Sequence, residues 1–252
     1  MRIPIRSLSA LVAVTLVAGA LAAAPAAAED AGWTAVVLVQ EAFPKQSVAN
    51  EQIELINSTF GVDFDTWDDV HNLSLGVKVF RHLTPRWRVG FEADWSAGGI
   101  DGTATIPTEA GPAELAFEQS YSVFADLMAA AHYQLCPTCE RFEPFLLGGA
   151  GVAYEQDRTT LTLRNEYLDE WLIVDNDGWF PCFTAGLGAQ VALSASRTWW
   201  LEFGVAYYWG RLEHQVPAEG SLAPAPEVTA DTDSTGPNYW LGLAWRFGAP
   251  RG

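Results

Sequence analysis

Basic side chains are scarce in this chain of 252 residues: 14 Lys and Arg face 31 Asp and Glu, for a formal charge of −17 and a pI near 4.4. A nucleic-acid binder needs a basic footprint, so that class is excluded. Charged residues of all kinds reach only 18%, while hydrophobic residues reach 49% with 22 Gly and 11 Trp. That balance is too apolar and too aromatic for a disordered chain. Cysteine is limited to three residues and histidine to four, which leaves little material for thiol or imidazole chemistry. After residue 28 no run of about 18 consecutive apolar residues occurs, so a spanning helix is excluded as well.

What is present starts with a secretory pattern. Arg2 and Arg6 supply a positive start, Leu8 to Ala23 an apolar stretch, and Ala26-Ala27-Ala28 a small-residue cleavage site before Glu29. The sequence therefore predicts a cleaved signal over 1–28 and a single domain over 29–252. The residue directly after the cleavage point is Glu29 and not a cysteine, which argues against a lipoprotein.

Within the domain the dominant signal is alternation. Leu73, Leu75, Val77 and Val79 alternate with Asn72, Ser74, Gly76 and Lys78; Trp87, Val89, Phe91, Ala93 and Trp95 alternate with Arg88, Gly90, Glu92 and Asp94. Period 2 of this kind marks a strand with one apolar and one polar face. It recurs over Tyr121 to Leu135, Phe183 to Leu193, Trp199 to Trp209 and Tyr239 to Phe247, with two less cleanly phased strands at Trp33 to Phe43 and Phe142 to Glu155. Eight strands result. The connections alternate strictly between short (84–86, 136–140, 194–197) and long (44–69, 97–113, 156–178, 213–238), which puts all turns at one end and all loops at the other. That layout predicts an all-β, eight-stranded antiparallel up-and-down transmembrane β-barrel, with short periplasmic turns, long external loops and both termini in the periplasm.

A secreted lipocalin shares the strand count. Here, however, the polar face is mostly Gly, Ala and Ser with isolated charges, suited to a crowded lumen, while the apolar face is aromatic at both ends. Trp87, Trp95, Trp199, Trp209, Tyr239, Trp245 and Phe247 are the expected girdle residues at the two lipid boundaries.

The signal, the eight strands, the segment RFEPFLLGGAGVAYE at Arg141 to Glu155 and the final strand NYWLGLAWRF at Asn238 to Phe247 together resemble the small eight-stranded bacterial outer-membrane β-barrels typified by the OmpA transmembrane domain, OmpX and OmpW. The resemblance covers essentially the whole mature chain. It implies residence in the Gram-negative outer membrane, among its lipids and lipopolysaccharide, and insertion by assembly machinery that reads the last strand; five residues, Gly248 to Gly252, follow Phe247 here. OmpX-like relatives imply envelope structure and surface-loop interaction, whereas OmpW implies a narrow channel for small or hydrophobic solutes.

By strand phase, Lys78, Arg88, Glu92, Asp94, Glu118, Asp126, His132, Glu202 and Arg246 should point into the lumen. An eight-stranded interior is only wide enough for side chains, and buried charges need partners, so the expectation is a plugging ion-pair network in a monomer. An enzyme is not expected: in His71-Asn72-Leu73-Ser74 the offset of three puts base and nucleophile on opposite faces of a strand, unlike the His-x-Ser of lipid A deacylases. No cofactor or specific metal is indicated.

Cys136 and Cys139 flank a turn and form a candidate disulfide in an oxidising compartment; Cys182 lies a barrel height away and should be free. Val48 to Ile56 reads as a short amphipathic helix in the first loop, and Asp175-Asn176-Asp177-Gly178 as a tight turn. The four long loops hold 19 acidic residues and only Lys45, Arg158 and Arg164 as bases, so weak binding of divalent cations is expected there.

Overall fold

The computed structural model describes residues 32–42, 47–67, 72–222 and 226–248; the expected signal over 1–28, and His71, lie outside them. The elements in chain order are β1 (Trp33–Ala42), α1 (Ser47–Phe60), β2 (Asn72–His82), β3 (Trp87–Thr108), β4 (Gly111–Gln134), β5 (Phe142–Arg164), β6 (Asp169–Ala192), β7 (Trp199–Glu219), β8 (Glu227–Asp233) and β9 (Gly236–Phe247). Consecutive strands from β1 to β7 pair antiparallel, β7 pairs β9, and β9 pairs β1 from Trp33↔Phe247 to Ala42↔Asn238. The ring closes on eight strands, with β8 hanging on β7 outside it.

Side-chain exposure identifies the outside. Val37, Leu75, Phe91, Leu127, Leu187 and Leu241 are all exposed by more than half of their area. A continuous belt of bare aliphatics is unstable against water and is what hydrocarbon requires. The girdle residues border it. Trp87, Trp199, Trp209, Tyr239 and Trp245 are exposed, and Trp95 and Phe247 are partly so. Tyr133, Tyr154 and Trp179 join them, with Trp87 against Tyr133 and Tyr154 against Trp179 at centroid separations of 5.0 Å. From Trp87 to Trp95 is nine residues, the length a tilted strand needs to cross a bilayer.

The long connections are not loops. β3 runs thirteen residues past Trp95 and turns directly into β4; β5 and β6 do the same, paired out to Arg164↔Asp169. At about 3.3 Å per residue these hairpins extend roughly 40 Å along the strand beyond the belt. Asp175-Asn176-Asp177-Gly178, expected as a turn, lies inside β6 and pairs with Glu155 to Arg158. The fourth connection contains β8, which pairs with Arg211 to Pro217 of β7 where that strand parts from β6.

Outside the bilayer the surroundings of the wall are aqueous, so the apolar stripe has to move to the inside. Two devices achieve this. In β3 the sequence changes: Phe91 and Trp95 face outward, whereas Ile100 and Ile106, on the opposite parity, are buried inside. In β4 the backbone changes instead. A bulge places Ser122 without a cross-strand partner, so Tyr121, Phe117, Leu115 and Ala113 face inward although Leu127, on the same odd parity, faces out.

The same bulge corrects one site expectation. Glu118 does not enter the lumen; it is exposed on the outer wall, because phase counted upward from His132 is inverted above Ser122. Deleting Ser122 removes only the unpaired residue and should leave barrel and extension folded. Deleting Leu127 instead would invert every β4 side chain above it. Heat-modifiable gel migration and protease resistance distinguish the two; an unfolded Ser122 deletion would refute this account of the bulge.

Candidate functional site

Local sequence explains how the lumen is filled. Inward positions carry small residues where a large neighbour crosses the bore. A Cβ on Gly204 would lie 2.3 Å from the Trp240 ring, and one on Gly76 would lie 1.8 Å from Asp94 Oδ1. Into the space so left, β1 and β5 add apolar groups that their weak phasing concealed: Val36, Leu38, Phe145 and Leu147 pack with Trp200 and Trp240 in one buried cluster.

The polar groups form tiers. Nearest the turn end, Glu143 accepts both Arg246 guanidinium nitrogens, at 2.8 and 2.6 Å, and is also paired with Arg88. Arg88 donates to Gln190 Oε1 at 2.8 Å, and Gln190 Nε2 donates to Glu202 Oε2 at 2.5 Å. Glu202 then accepts Trp240 Nε1 at 3.1 Å and lies 3.9 Å from Lys78 Nζ. Lys78 sits 3.4 Å from Glu92, which also lies 3.4 Å from His132 Nε2. Cations cover rings as well: Lys78 lies 4.2 Å from the Trp240 centroid and Arg246 3.7 Å from Trp200. His132 is fully buried, between Phe80 and Phe145 at centroid distances of 3.9 and 4.3 Å. Lys78, Arg88, Glu92, His132, Glu202 and Arg246 are thus brought into one connected group.

Phase reasoning missed Glu143, Trp200 and Trp240. The signal for Glu143 was its cross-strand position opposite Gln190, obscured by the glycines that blur β5. Asp94 and Asp126 stand one tier higher, as a cross-strand pair on β3 and β4. Each has a carboxylate oxygen without a hydrogen-bond partner, as does Glu155 above them. A cavity of about 50 Å³ lies among these three acids, Tyr121 and Tyr208.

Above the bilayer, α1 and residues 61–67 roof the extension. The helix spans Ser47–Phe60, longer than the sequence indicated, and buries Ala49 and Ile53 against Ile100, Leu115, Phe117 and Leu161. Asn57 fastens the returning chain by exchanging two 2.9 Å hydrogen bonds with the backbone of Phe64. Asn50 Oδ1 accepts Trp67 N at 2.8 Å, and Trp67 Nε1 donates to Gln119 at 2.7 Å. Under this roof is a cavity of about 350 Å³, bounded by α1, β4, β5, β6 and β8. Burial pushes the Asp157 carboxyl at its edge up to about 6, opposed by the hydrogen bond that Asn176 donates at 2.6 Å.

No family model matches the sequence, and no curated protein is found similar to it. Among solved structures the chain is similar to outer-membrane β-barrels. OprG of Pseudomonas aeruginosa is 15% identical, covering 87% of this chain and 97% of that one, with a TM-score of 0.43. A major outer membrane protein of Thermus thermophilus is 10% identical over 85% and 99%, TM-score 0.45, and Ail, the attachment invasion locus protein of Yersinia pestis, 10% over 86% and 98%, TM-score 0.41. The barrel itself rests on the ring of pairings and the apolar belt described above.

Cys136 and Cys139 form a disulfide across the β4–β5 turn, and Cys182 is free and buried beside Tyr208. Among the described residues no group of three or more His, Cys, Asp or Glu is placed to hold a metal ion. His82 is engaged at the turn end, its Nε2 2.7 Å from Thr34 Oγ1.

Proposed function

We propose that this is a non-enzymatic, non-conducting outer-membrane barrel, its turns and termini in the periplasm and the secretory leader 1–28 removed, whose working part is the structure it holds above the membrane. The observation that carries the reading is the unbroken chain Arg246–Glu143–Arg88–Gln190–Glu202–Trp240–Lys78–Glu92–His132 filling the turn-end half of the lumen. The charges of this network are taken up by one another, as in Arg246–Glu143–Arg88 and Lys78–Glu92, and eight strands leave them nowhere to retreat. Outer-membrane lipids and lipopolysaccharide are the expected surroundings, with insertion through the final strand Asn238 to Phe247 and weak, non-stoichiometric divalent cations at the acidic outer surface. The buried packing of α1 supports the extension as a preformed recognition body rather than a set of mobile loops.

Planar-bilayer recording tests this directly. The folded protein should give no steady single-channel steps in 1 M salt, a deliberately high concentration at which surface charge is screened to about 3 Å. Steps that disappear when lumen residues are changed would instead establish the narrow-channel reading.

A further inference from the structure

We infer that the roofed chamber binds a small organic cation, a compact apolar body carrying a protonated amine. The inference deepens the preceding reading by naming a ligand class for the extension, and its test is separate, since binding can fail while the bilayer stays silent.

Three features converge. The cavity of about 350 Å³ falls within the range of small-molecule sites. Its walls are largely apolar, with Ile53, Ile56, Phe117, Leu161 and Leu172 facing the space, and helix α1 bounds it on one side. The charge on its floor has one sign only. Glu155 and Asp157 line the chamber, and none of its described lining residues is Lys, Arg or His.

Glu155 distinguishes a ligand site from a mere acidic surface. Its side chain is 4% exposed, and Oε2 has no hydrogen-bond partner. A buried, unsatisfied carboxylate oxygen costs free energy that a donor from outside can recover. Glu155 and Tyr121 line both this chamber and the smaller cavity beneath it, where Asp94 and Asp126 also present unpartnered oxygens. Burial pushes the Glu155 carboxyl up to about 8, so above that pH, where it is ionised, the chamber floor is negative. An ammonium directed at Glu155 would be matched by that field and a carboxylate repelled, while a neutral body of the same shape gains only the apolar contacts.

The test is isothermal titration of the folded full-length protein in non-ionic detergent at about pH 9, where Glu155 is ionised and an alkylamine is still protonated, with empty micelles subtracted, using adamantan-1-amine and its neutral isostere adamantan-1-ol. The amine should bind about ten-fold or more tighter, the ratio expected of one charge-assisted hydrogen bond. Glu155→Gln should bring the amine to within about two-fold of the alcohol, leaving the alcohol unchanged, since only the charge is removed. Ala230→Trp, which fills the chamber from β8, should abolish binding of both and provides a second arm should Glu155→Gln not migrate as a folded band. Equal affinities for amine and alcohol, absence of heat from either, or an amine preference that survives Glu155→Gln would each overturn the proposal.

Discussion

Replacing Glu143 by alanine should lower the stability of the barrel by about 3–5 kcal/mol, the usual consequence of removing one partner from a buried ion pair. Among the described residues this carboxylate is the one anion paired with two guanidinium groups, Arg88 and Arg246, whose side chains are 4% and 14% exposed. Without it both cations remain in the bore and converge on the single amide oxygen of Gln190. The loss should be strongly non-additive. In an Arg246→Met background the same substitution strands one cation instead of two and should cost markedly less, a coupling that a double-mutant cycle isolates. Urea titration followed by the folded band on unheated gels measures both. A cost below about 1 kcal/mol, the level of an exposed pair, would mean that the network fills the lumen without holding it.

The lumen was legible in the sequence where strand phase was clean, and illegible where it was not. β2, β3, β7 and β9 each showed strict alternation, and their inward residues Lys78, Arg88, Glu92, Asp94, Glu202 and Arg246 lie where phase puts them. β5 gave no phase because Gly148, Gly149 and Gly151 contribute nothing to an apolar count, and Glu143 with its neighbours Phe145 and Leu147 was lost with it. Glu118 failed for a different reason. The odd positions of β4 are apolar from Ala113 to Tyr133 except at Gln119, so the sequence shows no change of phase at Ser122, whereas the bulge there turns the upper part of that stripe inward. The bulge is silent in the period-2 pattern because the apolar side switches from lipid to interior at the same point, and the two inversions cancel.

The extension was hidden by the same physics that forms it. Apolar-out alternation marks a strand only where lipid lies outside. Beyond Trp95 the outward positions Asp101, Thr103 and Thr105 are polar because they meet water, and the resulting polar richness resembles loop. The acidic excess in these segments is consequently carried on a folded wall, with Arg158 gripping Asp175 at 2.6 and 2.8 Å and Arg164 holding Asp169 at 2.7 Å across β5 and β6. Such exposed pairs contribute little to stability. The wall is held together by its inner side.

That inner side gives the second large effect. Ile53 is completely buried in the apolar cluster that, among the described residues, joins α1 to the strands, so Ile53→Asp should release the helix while leaving the barrel folded. Two penalties act together: loss of burial worth roughly 1.5–3 kcal/mol for a fully buried aliphatic side chain, and insertion of a charge whose cost unpaired exceeds that of any neutral polar group. An isolated helix of 14 residues cannot offset them, being marginal in water by itself. The membrane ring meets this cluster at Phe124, which also packs against Phe180 and Tyr208, but its stability is set by the lipid belt and the lumen network, so the two parts should open as separate units. Limited proteolysis should therefore cut the variant between β1 and β2 while the remaining ring still migrates as a folded, heat-modifiable band. Ile53→Leu, which keeps volume and polarity, should stay resistant, its cost remaining below about 1.5 kcal/mol. If Ile53→Asp were as resistant as the parent, α1 would be held by something other than its apolar face, and the chamber beneath it would lose the roof that makes it a site.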